Sequence, residues 1–191
     1  LATQHQQGLD FDITYQRQLS DFVDSWNGGI LLHALVSHIG FQKNDDGYNP
    51  VQNQVGNNAS TDHPVKWRYL FTEIYNADPI TLSFTQRGFS AGDYGPLYLA
   101  CSANCPTSTP SHQTLDGDYL PGQWYYDLAF TYKFAHKDTA NVDAEAFFNI
   151  QNVTNEQAKP VGNTAYWFMS TNPFLYDTLG RIFRAGVRFK Y

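Results

Sequence analysis

The sequence predicts an all-β fold, an antiparallel transmembrane β-barrel, and three observations lead to this prediction. Apolar and polar residues alternate in several segments, aromatic residues are abundant while charged residues are scarce, and long and short connections alternate along the chain. Successive side chains of a β-strand point to opposite faces. In a membrane barrel one face of each strand meets lipid and the other meets water, so the strands must alternate in this way.

Five segments alternate cleanly, with polar or charged residues between the members of an apolar row. In chain order the rows are Leu9, Phe11, Ile13 and Tyr15; Ile80, Leu82 and Phe84; Trp124, Tyr126, Leu128, Phe130, Tyr132 and Phe134; Val142, Ala144, Ala146, Phe148 and Ile150; and Phe183, Ala185, Val187, Phe189 and Tyr191. A half-buried strand of a soluble protein also alternates, so one segment decides little. Five rows with aromatic residues near their ends favour an aromatic-girdled barrel over a sandwich.

Two further segments are less regular, and they bring the number of expected strands to seven. In Gly29–Phe41 both faces carry apolar residues. We place one row outward because His33 and Ser37 then face the lumen; this row is Ile30, Leu32, Ala34 and Val36.

Glu73 interrupts the apolar row of the seventh segment, Val65–Asn76, and is therefore expected on the lipid face. It precedes the end of the segment by roughly 10 Å at about 3.3 Å per residue, and Tyr75 follows it at the expected interface. We expect the carboxylate to lie at the edge of the apolar band, where it reaches water or headgroups.

The lengths of the connections provide an independent test. The long connections are Gln42–Asp62, Asp93–Pro121 and Val153–Leu179, and the shorter ones are Gln18–Gly28, Ala77–Asp78 and Ala135–Asn141. Long and short alternate through all six. Membrane barrels have short periplasmic turns and longer extracellular loops, so we expect the long connections outside the cell and the short ones in the periplasm.

The composition is compatible with this fold and excludes other classes. Charged residues make up 16% of the chain and aromatic residues also 16%, whereas about 25% of a typical soluble domain is charged. No run of about 18 apolar residues exists, so no transmembrane helix is predicted. The net charge is -6 and the 12 basic residues are scattered, so the sequence predicts no nucleic-acid partner.

The number of strands suggests that the chain is part of a larger barrel. No targeting signal precedes the first strand, although an outer-membrane protein is made with one. Leu1–Gln7 is too short and too polar for an eighth strand. Since single-chain bacterial barrels have an even number of strands, we expect residues 1–191 to be a C-terminal slice.

An ordered series of motifs resembles the last third of a TonB-dependent outer-membrane receptor. The series covers nearly the whole chain, and the motifs are Gly8–Ile13, His63–Arg68, Thr85–Arg87 followed by Gly92–Tyr94, Tyr126–Tyr132, Phe148–Asn155, and Tyr176–Gly180 through Tyr191. Two positions depart from the family pattern: Glu73 stands where an apolar residue is expected, and His38 where an aromatic residue is expected.

This resemblance implies a barrel of about 22 strands with a plugged lumen, of which the chain would form the final third. It implies energised uptake of a scarce nutrient, such as an iron chelate, a vitamin or an oligosaccharide. The plug domain and the TonB box of the family lie toward the N-terminus and are not found in residues 1–191. The chain would contribute barrel wall and three outer loops, with no catalytic residue and no cofactor.

The resemblance also implies partners. The apolar faces would meet outer-membrane lipid, and the missing plug would connect to the TonB complex of the inner membrane. The last strand resembles the closing strand of bacterial outer-membrane barrels, which the barrel-assembly machinery reads. The expected assembly signal is Phe183, Ala185, Val187, Phe189 and Tyr191.

Cys101 and Cys105 lie together in the long connection Asp93–Pro121. Two cysteines in an oxidising surface compartment usually pair, so we expect a disulfide. A zinc half-site is the alternative, but it needs two more ligands and only His112 is near in sequence.

The long connections also contain candidates for ligand contact. The aromatic candidates are Tyr94, Tyr98, Tyr119, Tyr166 and Trp167. Aromatic residues that pack the loops together, or sit at the membrane interface, would produce the same pattern. Asp45–Gly47 and Asp116–Asp118 would suit calcium, although Asp-Gly is also common in tight turns.

Three other functions remain compatible with parts of the sequence. Ser111 and His112 suggest a hydrolase, but no nucleophile motif surrounds any serine. A self-contained small barrel, acting as a pore or an adhesin, would need an eighth strand. A soluble lipocalin-like binder would bury its apolar face inside and expose its charged face.

Overall fold

The computed structural model of the protein is an all-β structure, and it describes residues 3–48, 50–135, 143–162 and 170–190. One 3₁₀ turn, Leu19–Asp21, accompanies ten strands. The strands are β1 Thr3–Gln18, β2 Gly29–Asp45, β3 Gln52–Asn53, β4 Trp67–Ala77, β5 Ile80–Phe89, β6 Tyr98–Ala100, β7 Gln113–Leu115, β8 Gln123–Ala135, β9 Asp143–Gln151 and β10 Ile182–Lys190. Among these described residues no helix is long and apolar enough to span a membrane.

Seven long strands form an antiparallel meander in the order β1-β2-β4-β5-β8-β9-β10, and β3 extends the sheet by pairing with β2. The seven segments with apolar rows are therefore confirmed as strands over their described residues; Val142 and Tyr191, which belong to two of the predicted rows, lie outside the described residues. Their boundaries differ in places: β2 continues to Asp45, past the expected start of a loop at Gln42, and β1 already begins at Thr3. The short strands β3, β6 and β7 lie within connections that were expected to be loops throughout.

The sheet has two open edges in the part of the chain that the structure describes. There β1 pairs with β2 alone, and β10 pairs with β9 alone. Both edges are long, since β1 has 16 residues and β10 has nine. An open edge presents unpaired N–H and C=O groups to any neighbouring strand.

The register shows that the apolar rows share one face, which we call the apolar face; the opposite one is the polar face. Residues directly opposite each other in neighbouring strands lie on the same face. Across six strands these partners are Leu32, Glu73, Phe84, Leu128, Ile150 and Phe183. Leu32 lies on the face predicted for it, and His33 and Ser37 lie on the polar face opposite Thr72 and Arg68.

A β-bulge near the end of β2 accounts for Phe41, but not for Leu31 and Leu35, which precede the bulge and lie on the polar face. The register shifts between Gln7 and Gly8, so that Gly8 is opposite Ile39 while Gln7 is opposite Phe41, and Gly40 has no partner. An extra residue in one strand reverses its side-chain alternation beyond that point. Phe41 is therefore on the same face as Leu9, although simple alternation from Ile39 would place it on the polar face.

The apolar face is uncovered. Leu9, Ile13 and Phe189 are each more than 60% exposed. The accessible surface of the chain is 12567 Å², roughly a third more than the ~9,200 Å² that a compact monomer of this size exposes. The large surface follows from an open sheet on which no second layer covers the apolar face among the described residues.

Glu73 lies on the apolar face as predicted, but the prediction that its carboxylate reaches water is wrong. Its Oε1 accepts a hydrogen bond of 2.9 Å from Nε2 of Gln86, and its Oε2 is buried without a partner. Gln86 is opposite Phe71 and so lies on the apolar face as well. The register from Arg68 to Ala77 is unbroken, so Glu73 has a polar partner without a bulge.

Candidate functional site: loop layer and polar face

The three long connections lie at one end of the sheet, because consecutive strands run in opposite directions. We call residues 46–66, 90–122 and 152–181 the first, second and third connections, and together the loop layer. The buried apolar cluster of the described residues lies between these connections and the adjoining strand ends. It consists of Ala59, Val65, Phe89, Leu120, Tyr125, Val161 and Tyr176.

The first and second connections are joined mainly through backbone groups. Asn58 N donates to Asp93 O at 3.0 Å, and Asp93 N donates to Gly56 O at 2.8 Å. The side chain of Asn58 is fully buried, and its Nδ2 donates to Ser90 O at 3.0 Å. These bonds place the two connections side by side.

Asn172 fastens the third connection to the first. Its side chain is fully buried, and its Nδ2 donates to Asn58 O at 2.9 Å and to Ser60 O at 3.0 Å. Its Oδ1 accepts from Phe174 N at 3.1 Å. One side-chain amide therefore bonds to three backbone groups of two connections, and the bond to the Asn58 carbonyl is fully buried.

Tyr176 fastens the third connection to the second. Its hydroxyl donates to Pro121 O at 2.6 Å, and its ring meets that of Phe89 edge to face, with centroids 5.3 Å apart. The ring is 1% exposed. Burial, with smaller contributions from neighbouring tyrosines, raises the pKa of Tyr176 to about 12.

Arg87 links β5 to β8 and to the third connection. Its Nε donates to Asp127 Oδ2 at 3.0 Å and its Nη2 to Asp177 Oδ2 at 3.4 Å. Its guanidinium lies over the ring of Tyr125, 4.6 Å from the centroid. Asp127 also accepts from Asn152 N at 2.8 Å, so the start of the third connection is fixed to the same network.

A pocket of about 300 Å³ opens between the polar face and the third connection. Strands β2, β4, β5 and β8 and the third connection all contribute to its lining. The lining residues are Leu35, Ser37, Arg68, Tyr69, Leu70, Arg87, Gly88, Phe89, Tyr125, Phe174 and Leu175. The arrangement can hold a small molecule that combines an apolar part with a negative charge.

The loop tyrosines predicted to contact a ligand have different surroundings. Tyr94 and Tyr98 pack edge to face, with centroids 5.8 Å apart, and the hydroxyl of Tyr94 accepts from Gly162 N at 3.1 Å. Tyr94 therefore ties the second connection to the third. Tyr119 is 70% exposed and available to a ligand; Tyr166 and Trp167 lie outside the described residues.

Cys101 and Cys105 form a disulfide, with their Cα atoms 5.6 Å apart. Cys101 also follows β6, and its N–H donates to Leu115 O at 2.8 Å, which continues the β6–β7 pairing. In the described parts of the chain no three His, Cys, Asp or Glu side chains are arranged to hold a metal ion.

The two Asp-Gly motifs have different roles. Asp45 accepts from Gly47 N at 2.9 Å, as the turn interpretation predicts. Asp118 instead accepts from Tyr94 N at 2.6 Å, so it joins two parts of the second connection. Neither motif belongs to a group of three His, Cys, Asp or Glu side chains that could hold a metal ion among the described residues.

Asp93 gives the loop layer a pH dependence. Burial, and then the nearby charge of Asp118, raise the pKa of the Asp93 carboxyl, although a bond from the Gly95 N–H opposes them. A raised pKa means that the folded loop binds more protons than the unfolded chain. This contribution to stability is present below the unfolded pKa and is lost as pH rises through the folded pKa.

Asp93→Asn is therefore expected to stabilise the loop layer at neutral pH and to reduce its loss of stability as the pH rises from the unfolded pKa of an aspartate through the raised folded pKa. The thermal midpoint of the variant, measured across that range, checks this. Asp24→Asn, in the exposed connection at the other end of the sheet, is the control and should leave the profile unchanged. An unchanged profile for Asp93→Asn would contradict the prediction.

Comparison of the chain with models of protein families, with curated proteins and with solved structures finds no match.

Proposed function

We propose that this chain forms part of the wall of an outer-membrane β-barrel, within a TonB-energised receptor for a scarce nutrient. The observation that carries the proposal is the exposed apolar face opposite a polar face, repeated across seven strands. In water an apolar surface of this size is unfavourable, at roughly 25 cal/mol per Å². Lipid would cover the apolar face and water would fill the space behind the polar face.

The lengths of the strands support a membrane setting. The seven long strands have from nine to 17 residues, and about nine to 11 residues suffice for a tilted strand to cross the hydrocarbon core. Aromatic residues lie near both ends of the apolar face, as in the girdles of membrane barrels. At one end these include Trp67 and Trp124, and at the other Tyr15, Tyr75 and Tyr132.

The arrangement of the connections supports the receptor role over a bare pore. The three long connections pack into one cohesive layer at one end of the sheet, where we place the outside of the cell. The two open edges favour a segment of a larger barrel over a self-contained small one. The ordered motifs that resemble TonB-dependent receptors provide the uptake function, in which the wall itself needs no catalytic group.

Leu82 and Ser83 offer a matched pair for testing the membrane orientation. Leu82 is on the apolar face, opposite Tyr75 and Phe130, and its neighbour Ser83 is on the polar face. The described cysteines are both in the disulfide, so Leu82→Cys or Ser83→Cys introduces a single site for a spin label.

In chain reconstituted into phospholipid vesicles, we expect oxygen, which concentrates in lipid, to relax the label at position 82 strongly. A water-soluble nickel chelate should relax the label at position 83 instead. Equal access of the chelate to both labels, in chain that has bound to the vesicles, would reject a membrane wall.

A further inference from the structure

The pocket on the polar face has a partly apolar lining. Leu35 of β2 is directly opposite Leu70 of β4, and Leu70 is opposite Arg87 of β5. Leu175 of the third connection adds to this apolar lining. The volume of the pocket, about 300 Å³, is at the lower end of the range for small-molecule sites. Such sites typically combine apolar walls with a few polar groups.

Arg87 is a fixed positive group in this lining. The carboxylates of Asp127 and Asp177 hold it through Nε and Nη2, and the ring of Tyr125 supports its plane. A guanidinium has five N–H donors, so these two contacts leave donors for another acceptor. The two carboxylates are themselves engaged, since Asp127 accepts from Asn152 N and Asp177 accepts from Leu179 N.

Arg68 is a second positive group, and its charge is not balanced by an ion pair with any described residue. It lies opposite Ser37 on one side and Phe89 on the other, and none of the ion pairs among the described residues includes it. Its place in the register makes it a diagonal neighbour of Arg87, roughly 7 to 8 Å away between Cα atoms. An anion between them would balance the charge of Arg68, since Arg87 is already paired with Asp127 and Asp177.

We propose that this pocket binds a small carboxylate that carries an aromatic or branched apolar group. The carboxylate would contact Arg68 and Arg87, because the planar guanidinium fork matches the two oxygens of a carboxylate. The apolar group would lie against Leu70 and Leu175. This inference rests on the proposed function for the role of the ligand as cargo, because the polar face would then line the lumen.

Benzoate is the probe, because it combines the two features in nine non-hydrogen atoms. Calorimetric titration into the purified chain in detergent, at constant ionic strength, should give a dissociation constant of about 1 mM. Benzamide has the same shape without the charge, and acetate has the charge without the ring. Each should bind at least about tenfold more weakly.

Arg68→Gln should weaken benzoate binding about tenfold, and Arg68→Lys should restore part of it, because an ammonium keeps the charge without the fork. Arg184→Gln is the matched control: Arg184 is another exposed arginine of the polar face, on β10 opposite Asn149. This control should bind benzoate within about twofold of the unmodified chain.

Benzoate binding that is unchanged in Arg68→Gln, or equal to benzamide binding, would overturn the proposed site. So would the absence of binding below about 10 mM, an order of magnitude above the expected constant. The titration is made in detergent and does not depend on orientation in a bilayer. Failure of the site and failure of the membrane wall are therefore distinguishable, since spin labels at positions 82 and 83 report only on the wall.

Discussion

Asn172→Ala is expected to destabilise the loop layer by about 3 kcal/mol, since it removes three hydrogen bonds to backbone groups, each worth about 0.5 to 1.5 kcal/mol, and one of these bonds is fully buried. The groups are the carbonyls of Asn58 and Ser60 and the N–H of Phe174. Hydrogen exchange checks the prediction. The Phe174 and Asp93 amides should exchange roughly a hundredfold faster, while amides within the sheet keep their protection.

Asn44→Ala is the control for this substitution. Asn44 donates to the side chain of Gln54 at 3.0 Å, but both groups are exposed, so the change should cost less than about 0.5 kcal/mol. Asn172→Asp provides a second test, because it keeps the acceptor for Phe174 but turns a carboxylate oxygen toward two carbonyls. If Asn172→Asp were as stable as the unmodified chain, the donor role of Asn172 would be wrong.

The long strands could be predicted because each residue of an alternating strand reports on one of only two environments. The pattern of β8, from Gln123 to Ala135, extends over 13 residues, so its periodicity is unambiguous. β6 and β7 have three residues each, which is too short for alternation to be visible. The bulge at Gly40 could not be recognised in the sequence, because Leu31, Leu35 and Ile39 already place apolar residues on both faces of β2 before it.

The loop layer could not be predicted because its bonds join residues that are far apart in sequence. Asn172 and Asn58 are separated by 114 positions. The sequence around a loop asparagine does not show whether its side chain bonds within a local turn or to a distant connection. The pocket could not be predicted for the same reason. Alternation places Arg87 on the polar face, but only the third connection, folding back over the sheet, brings Leu175 to it.

Gln86 was missed for a simpler reason: the apolar row of β5 was followed only as far as Phe84. The next position on that face is Gln86, and a polar residue there looks like the end of the row. Its hydrogen bond to Glu73 shows that the row continues. The pair are diagonal neighbours in adjacent strands, since Glu73 is opposite Phe84 and Gln86 is opposite Phe71.

This pair changes the expected result of removing the carboxylate. If Glu73 reached water, Glu73→Leu would be neutral or mildly stabilising. Because Gln86 is its partner, the substitution should instead cost about 1 to 3 kcal/mol, the penalty for leaving a polar group unsatisfied in apolar surroundings. Gln86→Leu should cost at least as much, since a carboxylate then loses its amide donor.

The double variant Glu73→Leu/Gln86→Leu should be at least as stable as the unmodified chain, because Oε2 of Glu73 is already buried without a partner. Replacing both members of a buried polar pair by apolar residues is often neutral or stabilising. Unfolding free energies in one lipid or detergent, for all four chains, give the coupling between the two positions. The exposed pair Glu145 and Arg188, 2.6 Å apart on the polar face, should show a coupling no larger than about 1 kcal/mol. If the coupling between Glu73 and Gln86 were no larger than that of the control pair, each residue would contribute to stability independently of the other.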